Sequence, residues 1–233
     1  MVKIYHIEGR RSERVAWLLE EIGGIPYELD YVAGDILGSL LKLEEVHETR
    51  MTPIVRDGDL VMIESGAILE YLLAKYAKGS PLRPSETSPD FPRYLQFLHY
   101  AEGTAMARLV IDYMLGGAMK AAGIDSPLPK LPGVAGSRTE SERVMYFVEA
   151  ALGRSRYFAG ENFTAADIMM HFPLKMGAAL ATKSEVKMAN MYRTDNPYLD
   201  HFPNVKRFLV DMHNRPAFQR AIARSIPNGP PAM

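Results

Sequence analysis

Residues 51–76 read MTPIVRDGDLVMIESGAILEYLLAKY, passing from a proline-led apolar run through a glycine turn into a second run and then into helical spacing. Ile54 to Arg56 and Leu60 to Ile63 flank Asp57-Gly58-Asp59, a hairpin signal. Ile68, Leu69, Leu72, Leu73 and Tyr76 then recur at the spacing of one helix face. The stretch predicts two antiparallel strands followed by a helix.

Toward the N-terminus, Val2 to His6 alternates like a strand, and Val15, Leu18, Leu19 and Ile22 make a helix stripe that Gly23-Gly24 ends. Tyr27 to Val32 reads as extended and Ile36 to Glu45 as a less regular helix, so the first part of the chain is βαβαββα. Between Lys78 and Pro92 the composition changes to KGSPLRPSETSPDFP, whose prolines suit neither helix interior nor sheet ladder. Beyond it the periodicity is helical at Pro92 to Leu115, Arg138 to Leu152, Ala165 to about Ala181, Asn204 to His213 and Pro216 to Ala223. Gly116 to Gly136, rich in Gly and Pro, reads as an irregular excursion. The expected organisation is an α/β domain over 1–80, a linker over 81–91 and an all-α domain over 92–233.

The 233 residues are 47% hydrophobic and 24% charged with a formal net charge of −1, which describes a globular chain with no global excess of cations for a polyanion or an anionic membrane. No apolar run is long enough for a bilayer crossing and the start turns charged at once, so a cytoplasmic location is expected, with neither nucleic acid nor membrane as partner. With no cysteine, any thiol chemistry must use a thiol carried by a ligand. The six histidines show no metal-ligand spacing, so no metal is expected.

Several residues suit chemistry. Pro53 opens a strand, where a cis bond would leave the Thr52 backbone groups facing outward to pair with an extended ligand, while a trans edge proline is the structural alternative. Glu64-Ser65 stands at a strand-to-helix junction: Ser65 is a natural N-cap, and the pair could clasp an α-amino acid head group, carboxylate at the helix start and ammonium at Glu64. Thr164 and Asp167 have capping-box spacing, a folding role. Met106, Val110 and Tyr113 fall on one helix face, either plain core or the wall of an apolar pocket.

Taken together, RRSERVAWLLEEIG (10–23), MTPIV, the DGD hairpin, IESGAILEYLLAKYA, the proline-rich linker, YLQFLHYAEG (94–103), YFAGENFTAADIMM (157–170) and FPNVKRFLVDMHNRPAFQRAIA (202–223) resemble a bacterial glutathione S-transferase over almost the whole chain. The resemblance implies a thioredoxin-like N-terminal domain, a helical C-terminal domain that completes the pocket for a hydrophobic electrophile, glutathione as co-substrate and a homodimer. It matches Pro53 to the family's cis-proline, Thr52 to the residue whose main chain pairs with the cysteinyl part of glutathione, and Glu64-Ser65 to the pair that holds the γ-glutamyl end. Relatives with the WLLEE helix place a serine in the slot that Arg10 occupies here; Ser12 is the nearest hydroxyl, and Tyr5 matches a tyrosine that other branches use. These three are the candidates for activating the thiol. The usual lysine for the glycyl carboxylate is absent from HETRM (47–51), where Arg50 can replace it. The expected activity is glutathione transfer; a non-catalytic binding protein, or a glutathione-dependent peroxidase, etherase or dehalogenase, are the alternatives.

Overall fold

The computed structural model describes residues 1–125, 139–181 and 191–229. Its four-stranded sheet has the order β2-β1-β3-β4, with β1 (Val2–Tyr5), β2 (Tyr27–Asp30), β3 (Ile54–Asp57) and β4 (Leu60–Met62). The strand β1 runs parallel to β2 through the helix α1 (Glu13–Ile22) and antiparallel to β3, and α2 (Ile36–Glu44) connects β2 to β3. The hairpin loop is Gly58-Asp59, because Asp57 still pairs with Leu60, and Gly58 takes the left-handed conformation (φ +64°) that a two-residue turn requires.

Strand alternation sorts the side chains. Val2 and Ile4 join the main core with Val15, Leu18 and Leu19 of α1 and with Ile68, Leu69, Leu72 and Leu73 of α3 (Ser65–Tyr76). Tyr5, on the opposite face, packs with Ile54 and with Leu43 of α2. The buried Asp57 carboxylate accepts from Tyr71 Oη (3.0 Å), Tyr76 Oη (2.8 Å) and Lys75 Nζ (2.8 Å), tying the end of β3 to α3.

After residues 77–90 the described secondary-structure elements are all helical. A single helix is expected from Pro92 to Leu115; instead α4 (Phe91–Tyr100) passes into a π-helical turn, Ala101–Met106, and then into α5 (Ala107–Ala121). Gly116 and Gly117, expected in the irregular excursion, lie inside α5, where each costs about 1 kcal/mol relative to alanine without ending the helix. Of that excursion, residues 126–136 lie outside the described residues.

The helix α6 (Glu140–Leu152) starts at a full capping box in which Thr139 Oγ1 accepts from Glu142 N (3.2 Å) and the Glu142 carboxylate from Thr139 N (2.8 Å). The long α7 (Ala165–Ala181), α8 (Pro203–His213) and α9 (Pro216–Ser225) complete the helical part. His171 of α7 meets His213 of α8 through their Nε2 atoms (3.0 Å) against the rings of Trp17 and Phe218, and burial pushes the His213 pKa down to about 4. The last helix returns to α1: Arg215 grips Glu21 through two bonds (2.6 and 2.9 Å), and Arg220 bonds Glu20 (2.8 Å).

At the start of α7 the capping roles differ from those the spacing suggests. Thr164 Oγ1 donates to Asp167 (3.0 Å) instead of accepting from the helix, and the Asp167 carboxylate also collects Thr164 N (2.8 Å) and Phe158 N (2.9 Å). Asp167→Ala would therefore strand three buried donors and should cost on the order of 3 kcal/mol, while Thr164→Ala should cost about 1 kcal/mol. Equal losses in denaturant unfolding would contradict this division. Burial pushes the Asp167 carboxyl up to about 6 despite those donors. Between about pH 4, its unfolded value, and that folded value, the folded chain holds a proton that the unfolded chain releases. This group's contribution is thus complete in acid and is lost as pH rises through 6, a slope that Asp167→Asn should remove from a melting series.

Candidate active site

A cleft of about 340 Å³ opens where three segments converge: the β1–α1 loop (Ile7, Arg10, Arg11), the loop before β3 (Thr49 to Pro53) and the β4–α3 junction (Ile63 to Ser65). Leu40 of α2 and Glu102 of the π-helical turn complete its lining. Of the residues singled out from sequence, Arg10, Arg50, Thr52, Pro53, Glu64 and Ser65 meet here.

Local structure explains how each is presented. The Thr52–Pro53 bond is cis, and the Thr52 hydroxyl donates to the Tyr5 carbonyl (3.0 Å). Glu64, not Ser65, is the N-cap of α3; its positive φ (+72°) leaves the carboxylate exposed at the cleft while Ser65 becomes the first helical residue, nearly buried. Arg50 also adopts positive φ (+51°) and pairs loosely with Glu44 (3.2 Å) at the outer edge.

Beneath the cleft sits a buried cation. Arg14 of α1 has 2% of its side chain exposed and donates to Glu102 (2.5 Å), to the Met169 carbonyl of α7 (2.7 Å) and to Ser65 Oγ (3.4 Å). Burial lowers its pKa, an effect the Glu102 charge opposes. Burial alone would raise the Glu102 carboxyl, but the Arg14 and Arg11 cations outweigh it and hold Glu102 below the ordinary range. Arg11 bonds both carboxylate oxygens through Nε (2.9 Å each). Nothing in the sequence marks Glu102, a lone acid in a helical stretch; the π-helical turn, which adds a residue to the turn, aims it at the cleft.

Other expected site residues lie elsewhere. Ser12 is fully buried; its hydroxyl contacts His6 Nδ1 (2.8 Å) and it does not line the cleft. Tyr5 is on the α2 face of the sheet by strand alternation, its hydroxyl meeting Arg56 Nε (3.3 Å). Met106 packs in a core cluster with Leu109, Phe172, Ala179 and Met191, with Val110 at its margin, while Tyr113 is half exposed. That face emerges from the core as α5 runs outward, so one helical spacing holds a core residue at one end and a surface residue at the other. Among the described residues no group of three His, Asp or Glu side chains could hold a metal ion, and no helix is long and apolar enough to cross a membrane.

Comparison with known proteins agrees with this architecture. The family model of the glutathione S-transferase N-terminal domain matches residues 4–81, and that of the C-terminal domain matches 129–216. Glutathione S-transferase 3 of Schizosaccharomyces pombe is 30% identical over 226 residues, covering 93% of this chain and 85% of the relative. The chain belongs to the glutathione S-transferase family. A glutathione S-transferase structure from Actinobacillus pleuropneumoniae shares the fold (TM-score 0.71, 24% identity, 98% of this chain and 94% of that one). So does a glutathione transferase of Phanerochaete chrysosporium in complex with oxidized glutathione (TM-score 0.67, 22% identity, 94% of each chain). The thioredoxin-like sheet and the helical second part are thus the glutathione S-transferase fold.

Glu102→Gln should leave Arg14 buried without its counter-charge. The expected loss is about 2 to 3 kcal/mol of stability, the low end for a broken buried pair because Glu102 keeps some solvent contact. Because its folded pKa is depressed, the wild-type contribution is present above the ordinary glutamate pKa of about 4.3 and disappears as pH falls through the folded value. Unfolding curves at neutral and acid pH check both, and an unchanged midpoint at neutral pH would remove Glu102 from this role.

Proposed function

We propose that this protein binds glutathione in the cleft between the β1–α1 loop, the Thr52–Pro53 segment and the start of α3, activates its thiol and transfers it to a hydrophobic electrophile. The observation that carries the reading is the meeting of Glu64, Ser65, Thr52 and the arginines Arg10, Arg11 and Arg50 in one cleft of about 340 Å³. Glutathione has a zwitterionic γ-glutamyl head and an anionic glycyl end. Glu64 suits the ammonium, the start of α3 with Ser65 suits the adjoining carboxylate, and Arg50 suits the far carboxylate. The Thr52 main chain supports the cysteinyl part between them. The protein is a glutathione transferase by family, and glutathione is its co-substrate; no step requires a metal.

At the sulfur, Arg10 is the favoured activator. A free thiol is mostly protonated at neutral pH, and a nearby guanidinium lowers its pKa by favouring the anion. Arg10 lines the cleft, whereas the hydroxyl of Ser12 and the ring of Tyr5 are turned elsewhere. The electrophile wall assigned to Met106, Val110 and Tyr113 draws support only at Val110 and Tyr113, which keep exposed surface. A homodimer, a cytoplasmic location, placement in a bacterial branch and division into 1–80, 81–91 and 92–233 complete the reading. The WLLEE helix is shared by bacterial and fungal relatives, and residues 77–90 between α3 and α4 support the boundary.

The test is conjugation of glutathione to an aryl halide, with ultraviolet difference absorbance following the bound thiolate. Wild type should turn over, and binding without turnover would favour the non-catalytic alternative. Ser65→Ala should weaken glutathione binding about tenfold, the worth of a charge-assisted hydrogen bond. Arg10→Ala should raise the pH midpoint of thiolate formation by about a unit, less in high salt. An unmoved midpoint would shift activation away from Arg10.

A further inference from the structure

The β1–α1 loop that presents Ile7, Arg10 and Arg11 to the cleft is closed from below by a buried relay joining the two ends of the chain. His6, Ser12 and Ser225 are all 0% exposed. His6 Nε2 lies 2.8 Å from the carbonyl of Ser225, the last residue of α9, and His6 Nδ1 lies 2.8 Å from Ser12 Oγ. A carbonyl can only accept, so Nε2 carries the proton. In the neutral ring Nδ1 is then an acceptor, and the Ser12 hydroxyl must donate to it. Burial, the largest influence, lowers the His6 pKa and favours that neutral form; Lys175 acts with it and Glu13 against it.

The relay therefore fixes a direction as well as a position. Ser12 Oγ, held by His6, accepts from Ile7 N (3.4 Å), and Arg10 N donates to the Ile7 carbonyl (3.2 Å), so the turn that carries Arg10 closes on a residue tied to that hydroxyl. The far end of the relay is fastened independently. Tyr31 stands edge-on to His6 (4.8 Å) and donates to the Arg224 carbonyl (3.3 Å), while Arg224 bonds the Tyr27 carbonyl (3.0 Å) and Glu20 (3.2 Å).

We propose that His6 is a positioning residue for the thiol site, through which the carboxyl end of α9 holds the loop bearing Arg10 and Arg11 in register with the cleft. This rests on the glutathione reading above and assigns the last helix a part in it, although α9 contributes no residue to the cleft lining.

Two substitutions divide the relay. In His6→Asn the amide oxygen takes the place of Nδ1 and keeps the Ser12 link while the Ser225 link is lost; in His6→Gln the amide nitrogen takes the place of Nε2 and keeps the Ser225 link while Ser12 loses its acceptor. Both variants should fold, raise the KM for glutathione about fivefold or more and move the pH midpoint of thiolate formation upward. Saturating glutathione at high pH should largely restore kcat. Ser12→Ala, which breaks the relay from the loop side, should shift the same two quantities and add little on top of His6→Gln. Wild-type KM and midpoint in folded His6→Asn and His6→Gln would overturn the proposal and leave His6 a core residue. Should both histidine variants fail to fold, unchanged values in Ser12→Ala would overturn it equally. A wild-type chain that does not bind glutathione refutes the function itself, whereas wild-type binding with silent variants refutes the relay alone.

Discussion

A guanidinium removed from water must find its partners inside the protein, and the requirement of Arg14 organises the molecule around the cleft. Its acceptors come from elements far apart in sequence: Glu102 from the π-helical turn, the Met169 carbonyl from α7 and Ser65 from the start of α3. Displacing any of these elements would leave a buried charge short of a partner, a penalty of several kcal/mol and large against the stability of an ordinary domain. The floor of the cleft is therefore fixed by a group that does not itself line it.

The same economy of charge extends behind the floor. Lys175 of α7, 1% exposed, donates to Glu13 (2.7 Å) and to Tyr192 Oη (3.0 Å), and Tyr192 donates to the other oxygen of Glu13 (2.5 Å). Burial lowers the Lys175 pKa, and the Glu13 charge opposes it. The ring of Phe172 touches both sets, with Arg11, Arg14 and Lys175 each about 5 Å from its centroid. The three cations share the face or edge of one polarisable ring and are matched by Glu13 and Glu102.

The order of strands and helices was legible because periodicity reports burial directly, and each βαβαββα element appears with its ends moved by a residue or two. The convergence of Thr52, Pro53, Glu64 and Ser65 was legible only through the family resemblance; in the structure the loop before β3 and the start of α3 line one cleft. What escaped the sequence depended on distant partners. The direction of the Ser12 hydroxyl is set by the tautomer of His6, and that tautomer by a carbonyl 219 residues away. Glu102 needed a π-helical turn that no spacing rule marks, and Met106 shows that a periodic apolar face does not say whether protein or ligand will cover it.

The return of α9 to the N-terminal end has a consequence for synthesis. Trp17 of α1 packs against Phe218, and Glu20 and Glu21 wait for Arg220 and Arg215, so α1 emerges from the ribosome about two hundred residues before its cover. At ordinary elongation rates that interval is on the order of ten seconds or more, during which one face of α1 is open to whatever binds apolar surface. Closure of the sheet-bearing half is thus a late event, and a chain interrupted after α8 would present that face to chaperones and proteases.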